Sequence, residues 1–534
     1  MRPALAIEGE RQEPAAARLR AIFAAFEACT SVCYRHPAGD LRFSDLYQQA
    51  VALLERLFSV STARNPVLIW GHKDRRYLVA YWACLIGGRA LVPVEPETPL
   101  DRVRQIALAC NASAILVAAP NDNAPPELWS IDPSISAMAI ELGSENRLTN
   151  HAARRPAPAT DAIADDDVAY IMFSSGTLGQ PKGIQVTYAN LVDFIDWLDV
   201  LLPEAAGFSA VSGNIRYCFD VSLFEIWTSW LHRLPITALD HADVANSTGF
   251  IRRLAADKVS LWVSTPSIVR LFLKNRRFGA DTLPDCRTFV FCGEPLTKAI
   301  VSDLFDRFPG CRVVNTYGPT ECTVAVTSVD ITRAHLLADH ELPIGYARAA
   351  TTLDHSPGTQ GNNSGNDAAQ EIYIRGASVG RGYIGLPERQ AYAFPEGDLY
   401  RTGDWGWKAA DGLWYFKGRI DREVKIQGVR IALDDVEAHI RAQTGVEEVV
   451  VSVFSLDDQP RALNAYVLGP QTGDELRLIA TQLSKQLPHY LVPRFWYADF
   501  PVTLNKNSKL DRAAIVEAAA QAAARHVHSL AAQV

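Results

Sequence analysis

Apolar and polar positions between residues 66 and 118 follow two alternating rhythms. Residues 66–70 (PVLIW), 90–94 and 114–118 are short apolar runs that predict strands. Residues 77–86 and 100–110 have helical spacing, and Gly87-Gly88 stops the first of them. This β-α-β-α-β order predicts an α/β layered domain. Later strand patterns run into polar, glycine-bearing turns. Residues 168–173 lead into Ser174-Ser175-Gly176, residues 288–291 into Cys292-Gly293-Glu294-Pro295, and residues 312–314 into Asn315-Thr316-Tyr317-Gly318. Open α/β sheets bind ligands beyond the carboxyl ends of their strands, so these three ends are candidate walls of one site.

Residues 354–367 (DHSPGTQGNNSGND) predict a surface loop, because strand-like 371–375 follows directly. After residue 421 the pattern changes to a compact block of short elements at 424–426, 433–440, 448–453, 462–467 and 475–487. The Ala-rich stretch 513–524 predicts a final helix.

Composition narrows the class. At 534 residues the chain predicts two or more domains. Its 48% hydrophobic and 21% charged content is that of a soluble globular protein. A net charge of -8 argues against a general nucleic-acid binder. Nine cysteines, an odd number with no CxxC pair, argue against a disulfide framework or a zinc ribbon. They suit reduced thiols in the cytoplasm. Residues 1–13 lack an apolar signal region, and no apolar stretch approaches the roughly 20 residues of a membrane span. Direct membrane insertion is not expected.

Residues 174–183 (SSGTLGQPKG) follow a strand pattern and precede the helical pattern of 190–202. Small hydroxyl and glycine residues let backbone N–H groups approach phosphate oxygens, and Lys182 adds a point charge. Pro181 stands where a Walker A loop needs glycine. Taken alone, such a loop is equally well a surface turn. It is followed in order by NTYGPTE (315–321), YRTGD (400–404), GRID (418–421), VKIQGVRI (424–431), LPHYLVP (487–493) and NSKLDR (507–512). With these segments the chain resembles the acyl-adenylate-forming superfamily, which includes peptide-synthetase adenylation domains, acyl-CoA synthetases and luciferases.

The resemblance implies a large N-terminal α/β adenylation domain over residues 1–420 and a small mobile α+β domain over 421–534, hinged at Asp421. It implies that ATP and a carboxylate give an acyl-adenylate, from which a thiol displaces AMP. Ser174, Ser175, Gly176, Thr177 and Lys182 are then expected to cradle the β- and γ-phosphates. Thr320 is expected at the α-phosphate and Glu321 at Mg²⁺, which suits an oxygen ligand. Tyr317 is expected against the adenine, with Gly293, Glu294, Pro295, Asn315, Thr316, Gly318, Pro319 and Phe416 around the nucleotide. Asp404 is expected at the ribose, with Arg419 nearby, and Lys509 at both the substrate carboxylate and the phosphate. Each residue has a plainer reading: Glu321 and Lys509 as surface charges, Asp404 as a turn residue, Tyr317 as core. Three departures stand out: Leu178 for a usual hydroxyl, Ser508 before the lysine, and Gln370 for a usual glycine. They keep open a catalytically decayed, nucleotide-binding regulatory protein, against which the intact Glu321, Asp404 and Lys509 argue.

Residues 219–225 (FDVSLFE) bear on the acid. A buried ammonium group needs a partner. By resemblance Asp220 supplies it, a pair worth roughly 4 kcal/mol at about 4 Å and an effective dielectric of 20, before desolvation. Asp220 as a helix N-cap is the plainer alternative. Acyl-CoA synthetases, the rival enzymes, have no ammonium to bind. Residues 180–191, 262–267, 288–296 and 315–327 are similar to stand-alone D-alanine:carrier-protein ligases. The family's pocket positions fall on Val221, Phe224, Val263, Val290, Cys292, Thr316, Val324 and Ala325. None is charged, and Phe224 is expected to add bulk at the floor, which leaves room for glycine or D-alanine, with L-alanine behind. One methyl separates these substrates by only about 1–3 kcal/mol. The chain has no carrier GG[HD]S site and no HHxxxDG motif. The expected acceptor is therefore a separate carrier protein bearing a phosphopantetheine thiol. Cell-envelope modification (lipid A or teichoic acid) and peptide-type products are the pathways the resemblance implies. Rotation at Asp421 is expected to swing Lys509 away and bring residues 424–431 toward the thiol.

Overall fold

The first three apolar runs form Val67–Gly71, Leu91–Val94 and Ala114–Ala118, each buried along its whole length. They pair in parallel, connected by helices Arg75–Ile86 and Leu100–Ala109. The structure, a computed structural model, describes residues 13–60, 64–119, 124–140, 163–174, 181–240, 246–355, 369–419, 422–426, 428–444, 446, 448–456, 459–468, 471–500 and 512–525. The expected loop at 354–367 lies almost wholly outside them. Among the described residues these strands belong to a seven-stranded sheet, and a second sheet has nine strands. The centre of the second sheet is parallel and includes Val211–Gly213, Leu261–Ser264, Thr288–Phe291 and Arg312–Tyr317. A four-stranded antiparallel sheet, Thr351–His355 to Trp414–Arg419, follows.

One apolar core draws residues from both large sheets and from the helices between them. At its centre Trp82, Trp227 and Trp230 are fully buried, with ring centroids 4.7, 5.0 and 5.5 Å apart. Rings of this size dominate core energetics, which fixes helix Arg75–Ile86 against helix Ser222–His232.

The segment 174–183 follows a strand and precedes a helix, as expected, but a further strand that the sequence did not predict lies between them. Val168–Ser174 pairs antiparallel with Lys182–Thr187, and helix Tyr188–Leu201 follows the second strand. Residues 183–187 hid this strand because both faces are mostly buried and Gly183 interrupts the apolar pattern. Thr187 closes a capping box with Asn190, which starts the helix at that point.

Beyond residue 421 a hairpin, Glu423–Ile426 with Val429–Ala432, leads to helix Leu433–Thr444 and a three-stranded sheet. Helices Gly473–Ser484 and Arg512–Arg525 complete this smaller α+β part, which has apolar clusters of its own. All nine cysteines are free. Among the described residues no helix is long and apolar enough to cross a membrane.

Candidate active site

The three polar strand ends converge. Phe173, Gly293 and Thr320 come from one end each and line a single cavity of about 80 Å³. Strands Thr288–Phe291 and Arg312–Tyr317 are adjacent and parallel, with Phe291 opposite Asn315, so their exits lie side by side. Gly318 is required there. A Cβ at this position would lie 2.5 Å from the Cα of Ala325. The chain then doubles back through Thr323 and Val324 at φ of 55° and 69°, a costly conformation for β-branched residues. Val324 thereby reaches the cavity wall.

Asp220 lines this cavity and is buried, 7% exposed. It is not the cap of the helix that follows: Val221 holds that position and makes no side-chain cap bond. The Oδ2 of Asp220 has no hydrogen-bond partner. Burial pushes its pKa up to about 6, partly opposed by the Thr320 hydroxyl and the Lys425 ammonium. A buried carboxylate with an open oxygen facing a cavity is suited to receive a cation.

Glu321 is fully buried among cations. Arg430 Nη1 donates to both carboxylate oxygens, at 3.0 and 2.9 Å, Lys182 Nζ lies 3.4 Å away, and the Tyr383 hydroxyl donates at 2.8 Å. Burial alone would raise its pKa, but Arg430 and then Lys182 outweigh it and hold Glu321 well below the usual carboxylate range. An ionised, buried carboxylate is the donor chemistry that Mg²⁺ needs. Here Arg430 supplies the balancing charge. Asp404 is similarly engaged: Tyr317 OH donates to Oδ2 and Arg419 to Oδ1, both at 2.5 Å. Asp404 lies within strand Leu399–Lys408, so it is no simple turn residue. Tyr317 is half-buried, 6.3 Å from the ring of Phe416.

Other expected residues are engaged otherwise. Glu294 bridges two parts of the molecule, accepting Ser267 N–H at 2.9 Å and Gly428 N–H at 2.7 Å. Thr316 donates to the Phe291 carbonyl at 2.8 Å, inside the sheet, and Asn315 to the carbonyl of Pro343 in a connecting segment at 2.7 Å. Cys292, whose thiol burial pushes up to about 11, points at the Val324 carbonyl, 3.8 Å away. Val221, Val263, Val290, Cys292, Val324 and Ala325 share the main core, and of these Val221 and Val324 line the cavity. Phe224 does not line it. Its ring packs at 5.3 Å from Phe194 and 6.1 Å from Trp197. Pro319 lines the cavity, whereas Pro295 is exposed. Ser175, Gly176, Thr177, Leu178, Asp421, Ser508 and Lys509 lie outside the described residues, as does the side chain of Ser174.

Sequence reasoning missed the depth to which the smaller part enters the site. Lys425, Gly428 and Arg430, from hairpin Glu423–Ile426 with Val429–Ala432, all line the cavity. Gly428, at φ 83°, sits where a Cβ would meet Thr265 at 2.9 Å. Nothing in the spacing of the segment VKIQGVRI says that Arg430 reaches Glu321. A second cavity of about 310 Å³ shares Phe219, Val221 and Gly428 with the first and is also lined by Arg216 and Arg461.

A model of the AMP-binding enzyme family matches residues 24–384. The D-alanine--D-alanyl carrier protein ligase of Listeria innocua is 32% identical over 500 residues, 90% of this chain and 95% of its own. That of Bacillus anthracis is 30% identical over 466 residues, 84% of this chain and 88% of its own. Among solved structures, the Vibrio cholerae adenylation domain AlmE in complex with glycyl-adenosine-5'-phosphate is similar with a TM-score of 0.78 at 22% identity, covering 97% of this chain and all of that one. PA1221, an NRPS protein containing adenylation and PCP domains, gives a TM-score of 0.73 at 23% identity, covering 95% and 97%. At such identities the two structures speak for the fold.

Proposed function

Since the chain belongs to the AMP-binding enzyme family, we propose that it adenylates a small uncharged amino acid and passes the aminoacyl group to the phosphopantetheine thiol of a separate carrier protein. Glycine and D-alanine are the favoured substrates, with L-alanine third, and the name of the curated relatives supports D-alanine. The observation that carries the reading is Asp220, a buried carboxylate with an unpartnered oxygen at the cavity wall. It suits an α-ammonium group and has no use for a fatty acid.

In the first step a substrate carboxylate oxygen bonds to the α-phosphorus, and the bond to pyrophosphate breaks with its electron pair. Asp220 orients the substrate by its ammonium group. Lys182 and the backbone of the 174–183 loop offset phosphate charge, and Thr320 and Asp404 hold the α-phosphate and ribose. Lys509 bridges carboxylate and phosphate. Mg²⁺, when bound at Glu321, supplies further neutralisation of the phosphates. In the second step the carrier sulfur bonds to the acyl carbon, AMP leaves, and the thiol proton is lost. The larger cavity gives the carrier arm a route to the shared wall at Phe219, Val221 and Gly428. This reading divides the chain into residues 1–420 and 421–534, with the hinge at Asp421. It sets the reaction in the cytoplasm, in service of cell-envelope modification or a peptide-type product.

Amino-acid-dependent ATP–pyrophosphate exchange is the test, run with glycine, D-alanine, L-alanine, serine and a fatty acid. Exchange is expected with glycine or D-alanine. Exchange with the fatty acid alone would make the protein an acyl-CoA synthetase, and exchange with no acid would leave the decayed homologue. Lys509→Ala is expected to reduce exchange at least about 100-fold. Full exchange in that variant refutes its role.

A further inference from the structure

Residues 214–221 are the partition between the two cavities. Cys218, Phe219, Asp220 and Val221 line the smaller one, while Asn214, Ile215, Arg216, Phe219 and Val221 line the larger. The partition has no regular structure that would hold it by itself, running from strand Val211–Gly213 to helix Ser222–His232. What grips it is a buried charge cluster. Glu225, in the first turn of that helix, reaches back so that its Oε1 accepts the N–H groups of Asn214 and Ile215 at 2.5 and 3.0 Å. Its Oε2 lies 3.5 Å from Lys73 Nζ, and both side chains are 0% exposed. Lys73 comes from the other sheet, just beyond strand Val67–Gly71. It grips the partition a second time, its Nζ 4.0 Å from the centre of the Tyr217 ring. Tyr217 OH donates to Tyr34 OH at 3.1 Å, which donates to the Lys73 carbonyl at 2.8 Å. The grips fall on residues 214, 215 and 217, and Asp220 follows three residues later.

We propose that Glu225, together with Lys73, is a positioning pair for both half-reactions: it fixes the partition whose one face presents Asp220 to the amino acid and whose other face forms the route of the carrier thiol. The inference rests on the function proposed above. A buried ion pair is weak evidence for stability, because hydrophobic replacements are often neutral. Closing a segment between two substrate cavities is a use that apolar groups cannot replace, since the two N–H groups would be stranded. The ATP side of the site has none of these contacts. Its proposed binders lie in other segments, Lys182 and Asp404 on strands and Thr320 at the start of a short 3-10 helix.

The test uses the full chain, its carrier protein and the amino acid that supports exchange. KM for amino acid and for ATP are measured separately in the exchange assay, and transfer to carrier is timed from preformed adenylate. Glu225→Ala is expected to raise the amino-acid KM at least tenfold and slow transfer at least tenfold, with the ATP KM within twofold of wild type. The neutral pair Glu225→Gln with Lys73→Met keeps an acceptor for both N–H groups and leaves no stranded charge. It is expected to recover most of both losses. If Glu225→Ala does not fold, Glu225→Asp serves in its place, drawing the carboxylate back by about 1.5 Å. An amino-acid KM and transfer rate within twofold of wild type, or losses shared equally by the ATP KM, overturns the proposal. Absence of exchange in wild type overturns the proposed function instead.

Discussion

Asp220→Asn is expected to abolish amino-acid-dependent exchange and, above pH 6, to make the ligand-free enzyme more stable. Both effects come from one carboxylate. Burial raises its pKa from 3.8 to about 6. The folded state therefore disfavours the ionised form. That cost is absent below about pH 4, grows as pH rises through the interval, and is complete above about pH 6. At about 1.4 kcal/mol per unit, a shift of about two units costs the free enzyme about 3 kcal/mol at pH 8. Asparagine removes the charge but leaves an amide N–H group to satisfy, which returns about 1 kcal/mol. Thermal or urea unfolding should thus show the variant more stable at pH 8 by roughly 2 kcal/mol and no more stable at pH 4. An amino acid brings the cation that the wild-type carboxylate lacks, so its kcat/KM should fall about tenfold per pH unit below pH 6, as Asp220 protonates. Wild-type exchange in Asp220→Asn would remove Asp220 as the anchor. A variant less stable at pH 8 would refute the electrostatic account.

The same residue shows what the sequence could and could not tell. FDVSLFE marked Asp220, and short apolar runs marked the strands, because buried runs and helical spacing are local properties. Thr288–Phe291 and Ala114–Ala118 match their apolar runs residue for residue. Lys182–Thr187 was not visible, because a strand buried on both faces and interrupted by Gly183 has no period to detect. In the site, motif residues at strand exits were legible one by one. Their partners were not. Phe224 was expected at the pocket floor, yet its ring belongs to a packing contact with Phe194 and Trp197, 30 and 27 residues away in the chain. Glu294 was expected beside the nucleotide, and nothing in that motif points to its bond with Gly428 N–H, 134 residues distant. The first pairing depends on how helices Tyr188–Leu201 and Ser222–His232 pack, and the second on how the smaller α+β part meets the larger one; no local pattern encodes either.

With hairpin Glu423–Ile426 and Val429–Ala432 at the cavity, Arg430 neutralises Glu321, the carboxylate proposed for Mg²⁺. On the proposed rotation at Asp421, Arg430 would stabilise the arrangement seen here and would lose Glu321 as its partner when the smaller part turns away. Removing one partner of a buried pair costs about 3–5 kcal/mol. Lys182, 3.4 Å from Glu321, softens that to about 2 kcal/mol, or about 30-fold in population. Arg430→Gln is therefore expected to slow aminoacyl transfer from preformed adenylate about 30-fold while pyrophosphate exchange stays within about threefold of wild type. Lys509→Ala should give the opposite pattern, losing exchange and sparing transfer. Single-turnover transfer and exchange assays on the two variants decide it. If Arg430→Gln lowers both half-reactions equally, Arg430 serves the fold and not the transfer arrangement. If it lowers neither, the contact with Glu321 is incidental.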